Sequence, residues 1–118
     1  MKNYKELKVW QMSIEVVKRT FKISQLLPQQ EKFGVISQMT RAAVSIAANI
    51  AEGSSRSSDK DYARFLQISL GSAFELQTYF IIAKELFWVK EEETAEAENL
   101  LEQEIKMTQA FIKKLING

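Results

Sequence analysis

The chain has 118 residues, with 16 Lys and Arg against 15 Asp and Glu, 46% hydrophobic residues, one Pro, four Gly, and neither Cys nor His. That length fits one domain with one core and needs no disulfide or metal. The missing residue types exclude thiolate nucleophiles, zinc–thiolate and iron–sulfur sites, and Ser-His-Asp or Cys-His catalysis. No apolar run follows a basic start, and no stretch is apolar for the length of a bilayer, so neither a signal peptide nor a membrane span is predicted. The expected location is the cytoplasm.

Scarce Pro and Gly and the absence of strand-like alternation favour helices throughout. Leu7, Trp10, Ile14, Val17 and Phe21 step by three and four, which predicts a helix over about 7–26 with that row inward, ended by Pro28. Ile36, Met39, Ala43, Ile46 and Ile50 make a second seam over about 30–52, with Gly53 where a C-terminal cap belongs. A polar connection at 53–58 follows, and Ser58 with Asp61 has the pattern of a helix start near 59. The third helix, about 59–88, carries Tyr62, Leu66, Ser69, Ala73, Leu76, Phe80, Ala83 and Phe87 on one seam. A second seam (Phe65, Ile68, Ser72, Glu75, Tyr79, Ile82, Leu86) runs beside it, with Leu70, Phe74 and Ile81 outside both. One buried stripe cannot hold so many apolar side chains. The fourth helix, about 91–116, opens with Glu91, Glu92 and Glu93 at the positive end of its dipole, closes near Lys113 and Lys114, and turns Leu101, Ile105, Thr108, Ile112 and Leu115 inward. Short connections make an antiparallel up-down four-helix bundle, a single all-α domain over 1–118, the simplest architecture.

The string Phe33-Gly34, Ser37-Gln38, Arg41-Ala42-Ala43-Val44-Ser45-Ile46, Asn49-Ile50-Ala51-Glu52-Gly53 and Arg56 resembles the bacterial four helix bundle protein family, also called the 23S ribosomal RNA intervening-sequence protein family. Leu7 to Gln11, Phe65-Leu66, Gly71-Ser72 and Glu75-Leu76 extend the likeness over nearly the whole chain. The resemblance implies a bundle protomer closing into a ring, a homopentamer in known members, with no assigned catalysis and no cofactor. Distant relatives of this fold are retroelement accessory variability proteins that bind a reverse transcriptase and nucleic acid. This chain departs from the family pattern at Thr40, often a second basic residue, and at Ala47, usually Pro.

Arg41, Ser45, Asn49 and Glu52 are spaced four, four and three, which lines polar groups along one face of the second helix. We expect a hydrogen-bonded network there, at a helix or subunit junction, with Arg41 and Glu52 neutralising each other; a recognition stripe is the alternative. Basic and acidic residues segregate, six against two in 1–30 and three against seven in 91–118. Lys18, Arg19 and Lys22 on the first helix, with Arg41 and Arg56, are the candidate phosphate contacts of a nucleic-acid surface that a ring would multiply. Mutual neutralisation of helices one and four is the competing reading. The acidic run from Glu91 to Glu104 reads as a dipole-complementing, solvated face, since no second helix offers a matching acidic cluster; a carboxylate–magnesium nucleotide hydrolase is the minor alternative. Residues 54–60 precede a helix start but lack a phosphate-loop pattern. Trp10, Phe74 and Tyr79, with Phe80, Phe87 and Trp88, exceed what a thin core hides, so some rings are expected to meet another chain. With Gly53, Trp10, Phe74 and Tyr79 complete the expected structural and interface set. The reading is a non-enzymatic homo-oligomeric scaffold whose partners are its own copies and a protein or nucleic-acid backbone; a direct, sequence-indifferent nucleic-acid binder is the alternative.

Overall fold

A computed structural model describes residues 3–118 and contains four α-helices: α1, Lys8–Ser24; α2, Val35–Ser54; α3, Asp59–Glu85; and α4, Glu91–Asn117. Two single-turn 3-10 helices, Tyr4–Glu6 and Gln29–Glu31, precede α1 and α2, and no strand occurs among the described residues. The second helix starts later than its sequence pattern predicts. Pro28 leads into the 3-10 turn, and Gly34, at φ −107° and ψ −110°, breaks the path before Val35. The third begins as predicted, with Ser58 Oγ accepting the Asp61 amide at 3.1 Å. It ends short of the predicted residue 88 because Phe87 takes a left-handed conformation, φ 59°. The Trp88 amide then donates to the Ala83 carbonyl at 2.9 Å and the Phe87 amide to the Lys84 carbonyl at 3.0 Å, a helix stop usually built with glycine.

The helices pack in sequential pairs, with α1 also against α4, around one apolar cluster in a molecule 45 × 24 × 20 Å. Phe80, Met39, Ile46, Ile50, Leu66, Leu76 and Leu101 are fully buried; removing each such side chain from water contributes about 1.5–3 kcal/mol. Seams on α2, α3 and α4 follow the sequence pattern. At their ends Ile36, Tyr62 and Leu115 are only partly covered, and Phe87 is 91% exposed.

The α1 seam is corrected. Its core face is Val9, Ser13, Val16, Thr20 and Ile23, whereas Trp10, Ile14 and Val17 are half-buried and Phe21 is exposed. The two rows are offset by one residue, a rotation of about 100° on an α-helix. Ser13 and Thr20 disguised the inner row. Ser13 is tolerated there because its hydroxyl donates to the Trp10 carbonyl one turn back.

Polar ties fix the pairing of helices. Buried Ser69 donates to the Ile46 carbonyl at 2.8 Å across α2 and α3. Lys84 donates to both Glu98 carboxylate oxygens at 2.9 Å and reaches Glu91 at 3.3 Å, joining α3 to α4. Those carboxylates, Glu98 first, raise the Lys84 pKa despite partial burial. Glu98 also accepts from Thr94 Oγ1 at 2.8 Å, so α4's early acidic residues are engaged in structure.

Candidate interaction surface

The polar row of α2 divides. Its middle behaves as a junction: Asn49 donates its amide to the Ser45 carbonyl and hydroxyl at 2.9 Å, and Ser72 of α3 donates to the same hydroxyl at 2.8 Å. Its ends do not close on each other. Arg41 and Glu52 stand eleven residues apart, about 16 Å along a helix axis, too far for the neutralising pair expected from sequence. Glu52 instead accepts from Arg56 at 2.9 Å, one turn on. The Arg56 guanidinium lies 4.4 Å from the Phe65 ring centre, and that of Arg64 lies 4.6 Å from it. Asp61 links them, 2.9 Å from Arg64 Nε and 3.9 Å from Arg56 Nε. Arg56 is thus largely committed to shaping the α2–α3 turn.

Gly53, in the last turn of α2, is buried for a steric reason. A Cβ there would stand 2.8 Å from Tyr62 Cδ1 and 3.0 Å from Phe65 Cβ, closer than carbon atoms pack. Glycine lets the Tyr62 ring lie against the end of α2, where burial raises its phenol pKa.

The cations on α1 are likewise sorted by their neighbours. Arg19 turns to Glu96 of α4, realising at one contact the neutralisation between basic α1 and acidic α4. Lys18 pairs with Glu15 on its own helix at 3.1 Å, with both side chains well exposed, an arrangement worth little energy. Lys22 and Arg41 make no ion pair among the described residues. Arg41 and Phe21 line the same shallow cleft between α2 and α1. Of the five candidate phosphate contacts, Arg19, Arg56 and Lys18 are held in ion pairs with Glu96, Glu52 and Glu15, and Lys22 and Arg41 are not.

Two apolar strips lie outside the core. Between α1 and α2, Tyr4, Trp10, Ile14 and Val17 face Val44, Ala47, Ala48 and Ala51 across an open groove; Tyr4 meets Trp10 edge-on at 5.3 Å, and Val44 is 46% exposed. On α3, Phe74 and Ile81 flank Gln77, whose amide reaches Glu102 of α4 at 3.3 Å, so this strip follows the α3–α4 side. Phe74 is 44% exposed and Ile81 similarly so. Tyr79 is half-buried on the other flank of α3, its hydroxyl donating to Glu75 at 3.2 Å; burial first, then Glu75, raises its pKa. The α1–α2 strip was present in the sequence pattern but assigned to the core.

Glu104, expected from sequence on a solvated face, is instead fully buried on α4 with neither carboxylate oxygen hydrogen-bonded among the described residues. Burial pushes its pKa up to about 8, so it is held neutral near pH 7. Among the described residues no group of three or more His, Cys, Asp or Glu is placed to hold a metal ion. No described helix is long and apolar enough to cross a membrane.

This is an all-helical protein whose distinctive features are a polar α2–α3 junction and apolar surface left over after the core is filled. The chain belongs to the 23S rRNA-intervening sequence protein family, whose model matches residues 5–110. It is similar to a solved protein of unknown function from the S23 ribosomal protein family of Bacteroides thetaiotaomicron, with 25% identity and a TM-score of 0.82 over 89% of this chain and 98% of that one. No curated protein matches.

Proposed function

We propose that the chain is a non-enzymatic, cytoplasmic interaction scaffold: an antiparallel up-down four-helix bundle whose copies close into a ring and whose assembled surface docks a protein or a nucleic-acid backbone. The observation that carries this reading is the pair of apolar strips, one along α1–α2 and one along α3–α4. Since α1 packs on α2 and α4, and α3 on α2 and α4, the strips belong to opposite sides of the protomer. Two different patches on opposite sides favour a head-to-tail contact, which closes into a ring when the rotation allows. The contacts support alternating helix directions: Tyr62 meets Phe111 while Lys84 meets Glu98 and Glu91, so α4 runs back along α3. Membership of the family favours a bacterial homopentamer, and its distant relatives suggest a reverse-transcriptase-like partner.

Light scattering at micromolar concentration is expected to give a mass several times the 13.6 kDa of one protomer. A mass equal to one protomer would overturn the reading. A second reading, direct nucleic-acid binding, is favoured by the exposed cations Lys18 and Lys22 of the basic first helix, with Arg41 as a further contact, repeated around a ring. Fluorescence anisotropy with labelled RNA is then expected to show affinity that falls steeply with salt and hardly varies with sequence; no binding at low salt would refute it.

A further inference from the structure

A further cavity shares no lining residue with the α1–α2 groove or with the cleft beside Arg41. It is a cleft of about 690 Å³ where the start of α1, the α2–α3 turn and the end of α4 come together. That volume is in the range of small-molecule sites. Its walls are apolar and partly rigid: Leu7, Met107 and Leu115 line it, and Tyr62 and Phe111 meet edge to face at 5.1 Å. Tyr62 is set in place by the missing side chain at Gly53. Three cations, Lys8, Arg56 and Lys114, share the lining with one side-chain carboxylate, Asp59.

We propose that this cleft binds a small aromatic anion, an apolar ring system carrying one carboxylate, sulfonate or phosphate. The rings of Tyr62 and Phe111 would take the apolar body by edge and face contacts, and the cations would take the charge. Arg56 is prepared for that role. Its guanidinium is already fixed by Glu52 and by the Phe65 ring, while its Nε is buried without a hydrogen bond. A cation ordered beforehand loses little conformational freedom when a ligand arrives. Lys8 and Lys114 are exposed and adjust to the anion's position. Arg56 is already neutralised by Glu52, so it is Lys8 and Lys114, which make no ion pair among the described residues, that favour an anionic ring over its neutral counterpart.

The test uses anilinonaphthalene sulfonate, a ring system with one sulfonate, on the full chain in its native assembly. Binding is expected to enhance the probe's fluorescence, with amide NMR shifts centred on Tyr62, Met107 and Phe111. N-phenylnaphthylamine, which lacks the charge, is expected to bind more weakly. The Lys8→Gln, Lys114→Gln double variant changes only exposed residues, and its fold is checked by circular dichroism; it is expected to weaken sulfonate binding about fivefold while leaving the neutral probe unchanged. The proposal is overturned if the sulfonate does not bind the native chain, if its shifts fall on the Val44 or Phe74 strips instead, or if the double variant binds it as tightly as the parent. Because the cleft lies apart from both strips, these outcomes are independent of whether the chain assembles into a ring.

Discussion

Glu104 is the residue at which the core departs most from an apolar ideal. A carboxyl that is fully buried and unpaired is retained only in its neutral form, which is why its pKa lies near 8 in the folded chain against about 4.5 for an ordinary glutamate. Because the folded value is the higher one, the contribution to stability is fully present below about pH 4.5 and is lost as pH rises toward 8. The expected slope over that window is about 1.4 kcal/mol per pH unit. Guanidinium unfolding at pH 5, 6.5 and 8 should show this loss, and Glu104→Gln should flatten it; a flat parent profile would mean that the carboxylate is solvated or paired. Phe87 is the second such residue. A phenylalanine in left-handed backbone costs more than glycine would, while glycine loses more freedom on folding. Phe87→Gly is therefore expected to stabilise an isolated protomer by about 0.5–1 kcal/mol. A loss of stability would show that the exposed ring is packed against something beyond its own protomer.

Among the elements, α3 and α4 followed their sequence patterns closely because the apolar and small residues of their inward rows keep helical spacing, Glu104 being the one charged side chain carried inward with them. The α1 seam misled because two apolar rows compete there and the inner one contains Ser13 and Thr20. Periodicity finds a row but cannot say which of two rows faces the core. The start of α2 was similarly illegible: the 3-10 turn at Gln29–Glu31 and the break at Gly34 lie inside a stretch that sequence alone extends as helix. The polar row of α2 was readable as a row, and Ser45 and Asn49 do form a junction, but their partner Ser72 lies on α3 and the partner of Glu52 lies beyond the helix end. Glycine at 53 was expected as a cap, yet its distances assign it to the packing of α2 against Tyr62 and Phe65. Gly53→Ala is expected to destabilise the fold by about 1–3 kcal/mol through overpacking, although alanine is the better helix former. Thermal melts check this, and an unchanged or higher midpoint would show that the Tyr62 ring yields freely.

At the scale of the whole molecule, the protomer resembles one piece of a larger object. Its core is complete, yet Val44 and Trp10 on one side and Phe74 and Ile81 on the other keep apolar surface in water. Scattered single residues of this kind need no explanation, but apolar groups aligned on two opposed sides do. Burying each strip against the other on a neighbouring copy would remove both from water and repeat the protomer's exposed cations at regular intervals. The most direct test is sedimentation velocity on two charge variants, Val44→Asp and Phe74→Asp, run separately and then mixed in equal amounts. Each spoils one strip and leaves the other intact, so head-to-tail contact predicts single chains when apart and, on mixing, a species of twice the protomer mass that cannot grow further. Full assembly by either variant alone, or no association in the mixture, would contradict the account.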